Sequence, residues 1–595
     1  MRTYPTWPNL PAMMFARAKE WPNKPLLRSY RDGAWHGISW GEFARMAASC
    51  ARQLRAAGVS AGDRVIICSE NRPEYPIAET ALMAIRAVPV PAYTTNTVAD
   101  HAHLLRDSGA RAVIVSNQEL AAKLIEAGAL ALVVVMDAGP TETLPLPLRE
   151  GETPSQLLHL PQPPLPQPPP PPLRATLLSW SSLVADTAPP DDIAAEAGHI
   201  PATALACLIY TSGTGGAPKG VMLPHRAILS NCQGAFILLK PLKLEDETYL
   251  SYLPASHAYE HTVGGFFLPS IGTEIVYARG VEHLAADMLT VRPTIMTVVP
   301  RVLEVIRTRV LAQVARQPEN RRRLFQRALD IGLKRLDKTP LTLMERILDP
   351  ILDRLVRAKV RARFGGRLVA ACSGGARLEP EVGRFFLALG ITIIQGYGQT
   401  EAGPIVSANP PDAIRIETVG TALEGVALRL AEDGEILIRG DLVMDGYWGR
   451  PDDTAATIVD GWLHTGDIGE IGSGGYVRIT DRKKDMIVLS GGENVSPAKI
   501  EGMLMAEPAI AQAVVAGDGR AGLTALVVPA EGYDDVAVAI GVSDVNQRLS
   551  VTERIRKHAL VEPFTVENGL LTPTQKIRRM LVIRANTDVL AKLQR

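Results

Sequence analysis

Between residues 40 and 136 the chain alternates two periodicities, and that alternation constrains its fold more than any other feature. "WGEFARMAASCARQLRAAGV" carries apolar residues at helical spacing, and "DRVIICS" follows as a short buried strand. "YPIAETALMAIRAVPVPA" reads as a second helix leading to a strand, and "RAVIVSN" and "ALVVVMD" are further β-branched runs. Strands separated by helices indicate a parallel sheet with helices on its faces. A second α/β section begins near residue 200, and 595 residues are too many for one hydrophobic core.

Three stretches depart from this texture. Residues 139–172 include "PLPLREGETPSQLLHLPQPPLPQPPPPPLR", a Pro-rich run expected to be an extended, solvated insertion. Residues 301–367 read as helical, with Met344, Leu348, Ile351 and Leu355 on one face, and hold 18 Lys/Arg against 7 Asp/Glu, a local net of +11. A solvated helical face around a small core is the plainer expectation there; a landing surface for an anionic lipid or substrate is the sharper one. Residues 415–480 turn to short strands with Gly turns, as in "GEILIRGDLVMDGYW", suggesting a small β-barrel-like subdomain. The expected class is therefore α/β. A large N-terminal domain, residues 1–482, combines two α/β subdomains with the β-rich one, and a small α+β C-terminal domain spans residues 483–595.

Composition excludes several partners. Lys and Arg number 63, as do Asp and Glu, so overall charge points to neither nucleic acid nor membrane. The five cysteines are scattered and never form a CxxC pair, which reads as reduced thiols and not as a disulfide frame or metal site. The eleven histidines lack ligand spacing; "HAH" at 101–103 is the nearest approach. The longest apolar run, Ala127 to Met136, falls short of the roughly 20 residues that span a bilayer, and "MRTYPTWPNLPAMMF" lacks an apolar signal core. A cytoplasmic protein is expected, with peripheral contact on the inner face of the membrane and oligomerisation both left open.

The stretch "CLIYTSGTGGAPKGVMLPH", Cys207 to His225, raises the question of function. An apolar run leads into glycines, hydroxyls and Lys219, the makings of a loop whose backbone N–H groups converge on phosphate. It is not a Walker A loop, because Pro218 precedes Lys219 and Gly220 follows it. The third glycine that a dinucleotide loop needs falls on Pro218.

Four further segments narrow the reading. "IIQGYGQTEAGP" places Tyr397, Thr400 and Glu401 after a strand end; a purine needs a flat partner, a phosphate a hydroxyl donor, and magnesium a carboxylate oxygen. "GWLHTGDIGEI" supplies Asp467, suited to accept from two ribose hydroxyls; "ITDRKKD" adds Arg482, and "LLTPTQKIRR" offers Lys576. Each has a bland reading alone: Tyr397 in a core, Asp467 as a helix cap, Arg482 in a surface ion pair, Lys576 merely solvated. Together and in this order they resemble the acyl-adenylate-forming superfamily of acyl-CoA synthetases, luciferases and peptide-synthetase adenylation domains, over nearly the whole chain.

That resemblance implies a role for each residue. Thr211, Ser212, Gly213, Thr214, Gly215, Gly216 and Lys219 would grip the β- and γ-phosphates of ATP. The family usually reads Ser-Gly-Thr-Thr-Gly, and here Gly215 stands for the second Thr, removing one hydroxyl contact. Gly375, Ala376 and Arg377 of "CSGGARLEP" would border adenine and the acyl pocket, and Gln395, Gly396, Tyr397 and Gly398 would continue that wall. Thr400 would meet the α-phosphate, Glu401 the magnesium ion, and Asp467 with Arg482 the ribose. His257 of "SYLPASHAYEH" would sit beside the carboxylate, and Lys576 would bridge carboxylate and α-phosphate. A mobile C-terminal domain would pivot at Lys484, withdrawing Lys576 and bringing Gly491 and Gly492 to a CoA channel.

The implied reaction joins a carboxylic acid to AMP and then to CoA, with ATP, Mg2+ and CoA required. "SYLPASHAYEH", the helical block and "LLTPTQKIRR" most resemble the bacterial long-chain fatty acyl-CoA synthetases. The alternatives are an adenylating enzyme for an aromatic, branched or medium-chain acid, a ligase loading a carrier protein, and a non-catalytic nucleotide- or acyl-CoA-binding protein.

Overall fold

The computed structural model describes residues 4–137, 175–211, 217–491, 493–566, 568–571 and 577–593. The Pro-rich insertion lies outside the described residues. The chain divides into two compact units: one of residues 1–211, 219–427 and 438–461, the other of residues 212–218, 428–437 and 462–595.

The first unit holds two parallel sheets. One orders its strands Val88–Ala92, Arg64–Cys68, Ala112–Val115, Leu132–Val135 and Thr176–Ser179, every neighbour parallel. The runs "VIIC", "AVIV" and "LVVV" are apolar throughout because both faces of this sheet are covered. Leu132–Val135 pairs in parallel with Thr176–Ser179, so the sheet resumes after the Pro-rich stretch. The helix Trp40–Ala56 begins at a reciprocal cap between Ser39 and Glu42. The helix Glu74–Ala84 is buried at all eleven positions, which explains why it carries no polar face.

The second sheet has nine strands, with a parallel centre running through Ile393–Gly398, Ala370–Ser373, Ile295–Val298, Thr248–Ser251, Glu274–Tyr277 and Pro25–Arg31. Its antiparallel edges are Ala34–Ser39 on one side and Ile405–Ala408 with Thr421–Ala422 on the other. A smaller sheet pairs Leu205–Thr211 with Lys219–Pro224, and the latter with Gly446–Tyr447, all antiparallel.

Residues 300–362 are helical: Pro300–Ala315, Glu319–Leu336, Leu343–Leu352, a π turn over Asp353–Arg357, and Ala358–Ala362. The face proposed from sequence does not form a core. Leu348 packs against the cluster of Ala328, Ile331 and Leu352, whereas Met344, Ile351 and Leu355 are exposed. Among the described residues no helix is long and apolar enough to cross a membrane.

The second unit pairs Trp462–Ile471 with Val477–Arg482, and builds a sheet from Ile510–Ala516, Leu523–Pro529 and Ile555–Leu560. Strand alternation splits that sheet's side chains between two cores. Ala513, Val515, Ala525 and Val527 face one, and Val514, Ala516, Leu526 and Val528 face the other.

Candidate active site

In the first unit the segment predicted to cradle phosphate is flanked by an antiparallel pair. Thr211 and Lys219 are the last partners before residues 212–216, and Ser212, Gly213, Thr214, Gly215 and Gly216 lie outside the described residues. Gly220 permits the close packing of this hairpin, since a Cβ there would lie 3.0 Å from the Tyr210 ring. Tyr210 in turn donates its hydroxyl to Asp107 at 2.8 Å.

Lys219 is held from two sides. Its Nζ lies 2.7 Å from Asp453 Oδ1 and 5.0 Å from the ring centre of Tyr447. The same Tyr447 donates its hydroxyl to Glu401 Oε1 at 3.0 Å. One aromatic side chain therefore ties the lysine of the loop to the acidic residue of "GQTEAGP". Burial and the Glu401 carboxylate both push the Tyr447 phenol above its ordinary range, so it stays a neutral donor near neutral pH. Tyr447 was not legible as a site residue, because "MDGYW" has no chemistry of its own. Its position comes from the pairing of Tyr447 with Val221, a partner 226 residues away in sequence.

Strand ends of the nine-stranded sheet bring the next group together. Ser373 and Gln395 are neighbours in the parallel ladder. Ser373 Oγ and Gln395 Oε1 are both buried without a hydrogen-bond partner among the described residues. Unsatisfied polar atoms are rare in folded cores, and two at adjacent carboxyl ends of parallel strands mark where open α/β sheets bind ligands. Gly375, Ala376 and Arg377 follow Ser373 as an exposed segment, with Gly375 at φ +79° and Arg377 Nε 3.4 Å from Glu379. Gly396, Tyr397 and Gly398 complete the strand that carries Gln395, and a short 3-10 turn, Thr400–Ala402, presents Thr400 and Glu401 half-buried.

His257 caps the helix Ala258–Thr262, its Nδ1 accepting from the Tyr259 N–H at 3.2 Å. Tyr259 donates to the Cys372 carbonyl at 3.0 Å, and its ring fills the space a Cβ on Gly374 would take, 3.1 Å away. This contact joins the His257 segment to "CSGGARLEP". Glu260 anchors the same helix from beneath, accepting from Tyr249 at 2.5 Å, Ser251 at 2.6 Å and Thr297 at 3.0 Å. Burial pushes the Glu260 carboxyl up to about 6 against the pull of those hydroxyls. The first unit thus gathers Thr211, Lys219, Glu401 and Tyr447 around one cluster, and His257, Gly375 and Gln395 around the strand ends.

In the second unit Asp467 and Arg482 are direct cross-strand partners, with Arg482 Nε 3.0 Å from Asp467 Oδ1. Asp467 is buried and Arg482 is exposed, leaving the guanidinium partly in solvent. The next residue, Lys483, is fixed by Asp433 at 2.5 Å and Glu435 at 3.0 Å. Lys484 stands exposed in the turn that follows. Gly491 lies in the turn between Ile487–Val488 and Asn494–Val495, and Gly492 lies outside the described residues. Lys576 also lies outside them, between Leu571 and Ile577, which pair with each other.

Comparison with known proteins shows the family and the fold. Residues 14–448 match the family described as AMP-binding enzyme, and residues 484–591 match the AMP-binding enzyme C-terminal domain. The chain is 31% identical over 604 residues to the Long-chain-fatty-acid--CoA ligase FadD15 of Mycobacterium bovis, across 96% of this chain and 95% of that one. It is 30% identical over 605 residues to the peroxisomal long chain acyl-CoA synthetase 7 of Arabidopsis thaliana, across 92% and 80%. Among solved structures, the O-succinylbenzoate Coenzyme A Synthetase (MenE) from Bacillus subtilis, in complex with ATP and magnesium ion, shares the fold. That match has a TM-score of 0.68 at 19% identity, over 96% of this chain and 98% of that one. With a large α/β domain, a small C-terminal domain and both family regions in sequence, the chain belongs to the AMP-binding enzyme family.

Proposed function

We propose that this protein activates a long-chain fatty acid as acyl-AMP and transfers the acyl group to CoA, releasing AMP and pyrophosphate. The chain is an AMP-forming acid–CoA ligase, and the long-chain assignment is supported by its 31% identity, across nearly its whole length, to a ligase named for that substrate. The geometric observation that carries the chemistry is the Lys219–Tyr447–Glu401 cluster beside strand ends with two unsatisfied polar side chains.

A carboxylate cannot acylate a thiol directly, because its leaving group would be oxide. Its oxygen attacks the α-phosphorus of ATP, a P–O bond to pyrophosphate breaks, and a mixed anhydride results. The thiol of CoA then attacks the acyl carbon, and AMP leaves with the former carboxylate oxygen. Charge accumulates on the phosphoryl oxygens in the first step, so the protein must place cations and hydrogen-bond donors there in advance.

Lys219, restrained by Asp453 and the Tyr447 ring, would face the departing phosphates together with Thr211 and residues 212–216. Gln395 and Ser373 would receive hydrogen bonds or give them to the nucleotide, and Tyr397 would supply the flat face. Glu401 is a hard oxygen donor of the kind magnesium takes, and the Tyr447 hydroxyl orients it. Magnesium, when bound, supplies further charge neutralisation on the phosphates. Asp467 and Arg482 would hold the ribose hydroxyls, and His257 would stand by the carboxylate.

Lys576 would neutralise the developing charge in the first step alone, with Lys484 as the pivot that withdraws it before thiolysis and Gly491 and Gly492 lining the CoA channel. The test separates the half-reactions. Lys576→Ala is expected to abolish acyl-AMP formation while leaving thiolysis of supplied acyl-AMP largely intact. Equal loss of both steps would refute the role.

A further inference from the structure

The helix Leu343–Leu352 is built inside out. Its acidic residues face the protein: Glu345 pairs with Lys334 at 2.5 Å, and Asp349 with Arg335 at 2.8 Å and buried Arg357 at 2.7 Å. Most of its apolar residues face solvent. Leu343, Met344, Ile347, Ile351 and Leu355 are between 48% and 77% exposed, on a stripe bordered by Leu348 and Leu352, which pack inward. A reciprocal cap between Thr342 and Glu345 fixes the helix start. An exposed Leu is ordinary, but five along one rigidly clamped helix and the π turn after it form a continuous patch.

Charge identifies what covers the patch. Five of the seven acids of residues 301–367 pair within the block: Glu304 with Arg301, Glu319 with Arg322 and Arg323, Asp353 with Arg361, besides Glu345 and Asp349; Asp337 pairs with Arg384, and Asp330 accepts from Gln326. Arg346 and Arg354 border the stripe, exposed and without an acidic partner among the described residues. With 18 Lys/Arg against 7 Asp/Glu in the block, a second copy of the same face would be repelled. An apolar stripe flanked by unpaired arginines, on a helix too short to span a bilayer, matches an interfacial helix.

We propose that the stripe Leu343–Leu355 seats this enzyme on the surface of an anionic phospholipid membrane, with the aliphatic side chains in the headgroup boundary and Arg346 and Arg354 on lipid phosphates. The proposal does not depend on which acid the enzyme activates.

The test uses the full chain and vesicles of mixed phosphatidylglycerol and phosphatidylcholine, with pure phosphatidylcholine for comparison. Wild type is expected to sediment with the anionic vesicles, less so as salt rises. Each lost cation should weaken partition about five-fold, so R346Q with R354Q should reduce it more than ten-fold. I347S with I351S should do the same without altering thermal stability, since both sites are exposed. Met344→Cys carrying an environment-sensitive fluorophore gives a local readout, because the native cysteines are buried or half-buried. Its emission should shift to the blue on anionic vesicles. Wild type that stays in the supernatant with every vesicle would overturn the proposal, as would binding that both double variants retain. A concentration-dependent dimer dissolved by I347S with I351S would assign the face to a second copy instead.

Discussion

Replacing Tyr447 separates two interactions that meet on one side chain. Tyr447→Phe deletes the hydroxyl that donates to Glu401 at 3.0 Å but keeps the ring beneath Lys219 Nζ at 5.0 Å. A hydrogen bond to a charged group contributes about 1.5–3 kcal/mol, and the half-buried position places this one near the lower end. If it acts only while phosphoryl charge develops, about 1.5 kcal/mol is about a ten-fold loss in kcat/KM for ATP. Tyr447→Leu also removes the cation–π contact, worth about 0.5–1 kcal/mol at an exposed site, and should lose about thirty-fold. Acid-dependent pyrophosphate–ATP exchange reads the first half-reaction directly. Thiolysis of supplied acyl-AMP should be spared in both variants. Exchange at the wild-type rate in Tyr447→Phe, or equal damage to both half-reactions, would refute the view that Tyr447 positions Glu401 for adenylation.

Two other outcomes are expected. Lys484→Pro should spare adenylation and stall thioester formation; the exposed Lys484 N–H donates no backbone hydrogen bond among the described residues, so the fold should tolerate proline. A variant active in both half-reactions would remove the pivot from Lys484. His101 is buried with neither ring nitrogen hydrogen-bonded among the described residues, and burial lowers its pKa to about 4 from 6.5. Between those values the unfolded chain takes up a proton that the folded chain refuses, so stability falls as pH drops, by about 3 kcal/mol from this residue. His101→Phe should flatten the fall in Tm from pH 6.5 to 4, with His225, lowered to about 3 by burial, sustaining the remainder. An unchanged acid profile would mean that His101 titrates normally.

Strands buried on both faces were readable because nothing but an apolar run can occupy them: "DRVIICS", "RAVIVSN" and "ALVVVMD" all became neighbours in one parallel sheet. The helix of "WGEFARMAASCARQLRAAGV" was equally plain from its period, and the structure adds the Ser39–Glu42 cap at its start. The 344–355 face shows where such reading stops. Periodicity located Met344, Leu348, Ile351 and Leu355 on one side but not that only Leu348 of the four packs inward. That was decided by ion pairs from Glu345 and Asp349 to residues on a neighbouring helix and the π turn. Candidate site residues inside compact motifs, such as Asp467 and Arg482, could be picked out from the sequence. Their direct pairing, like the bridge made by Tyr447, depends on strand register and long-range pairing that no local pattern carries.

The most direct test of the proposed activity is a product assay with ATP, magnesium and CoA and a competing panel of short, medium, long and aromatic acids, read by mass spectrometry. Long-chain acyl-CoA formed together with AMP is the predicted result. Preferential use of an aromatic or short acid, acyl-AMP that never becomes a thioester, or no product from any acid would contradict it.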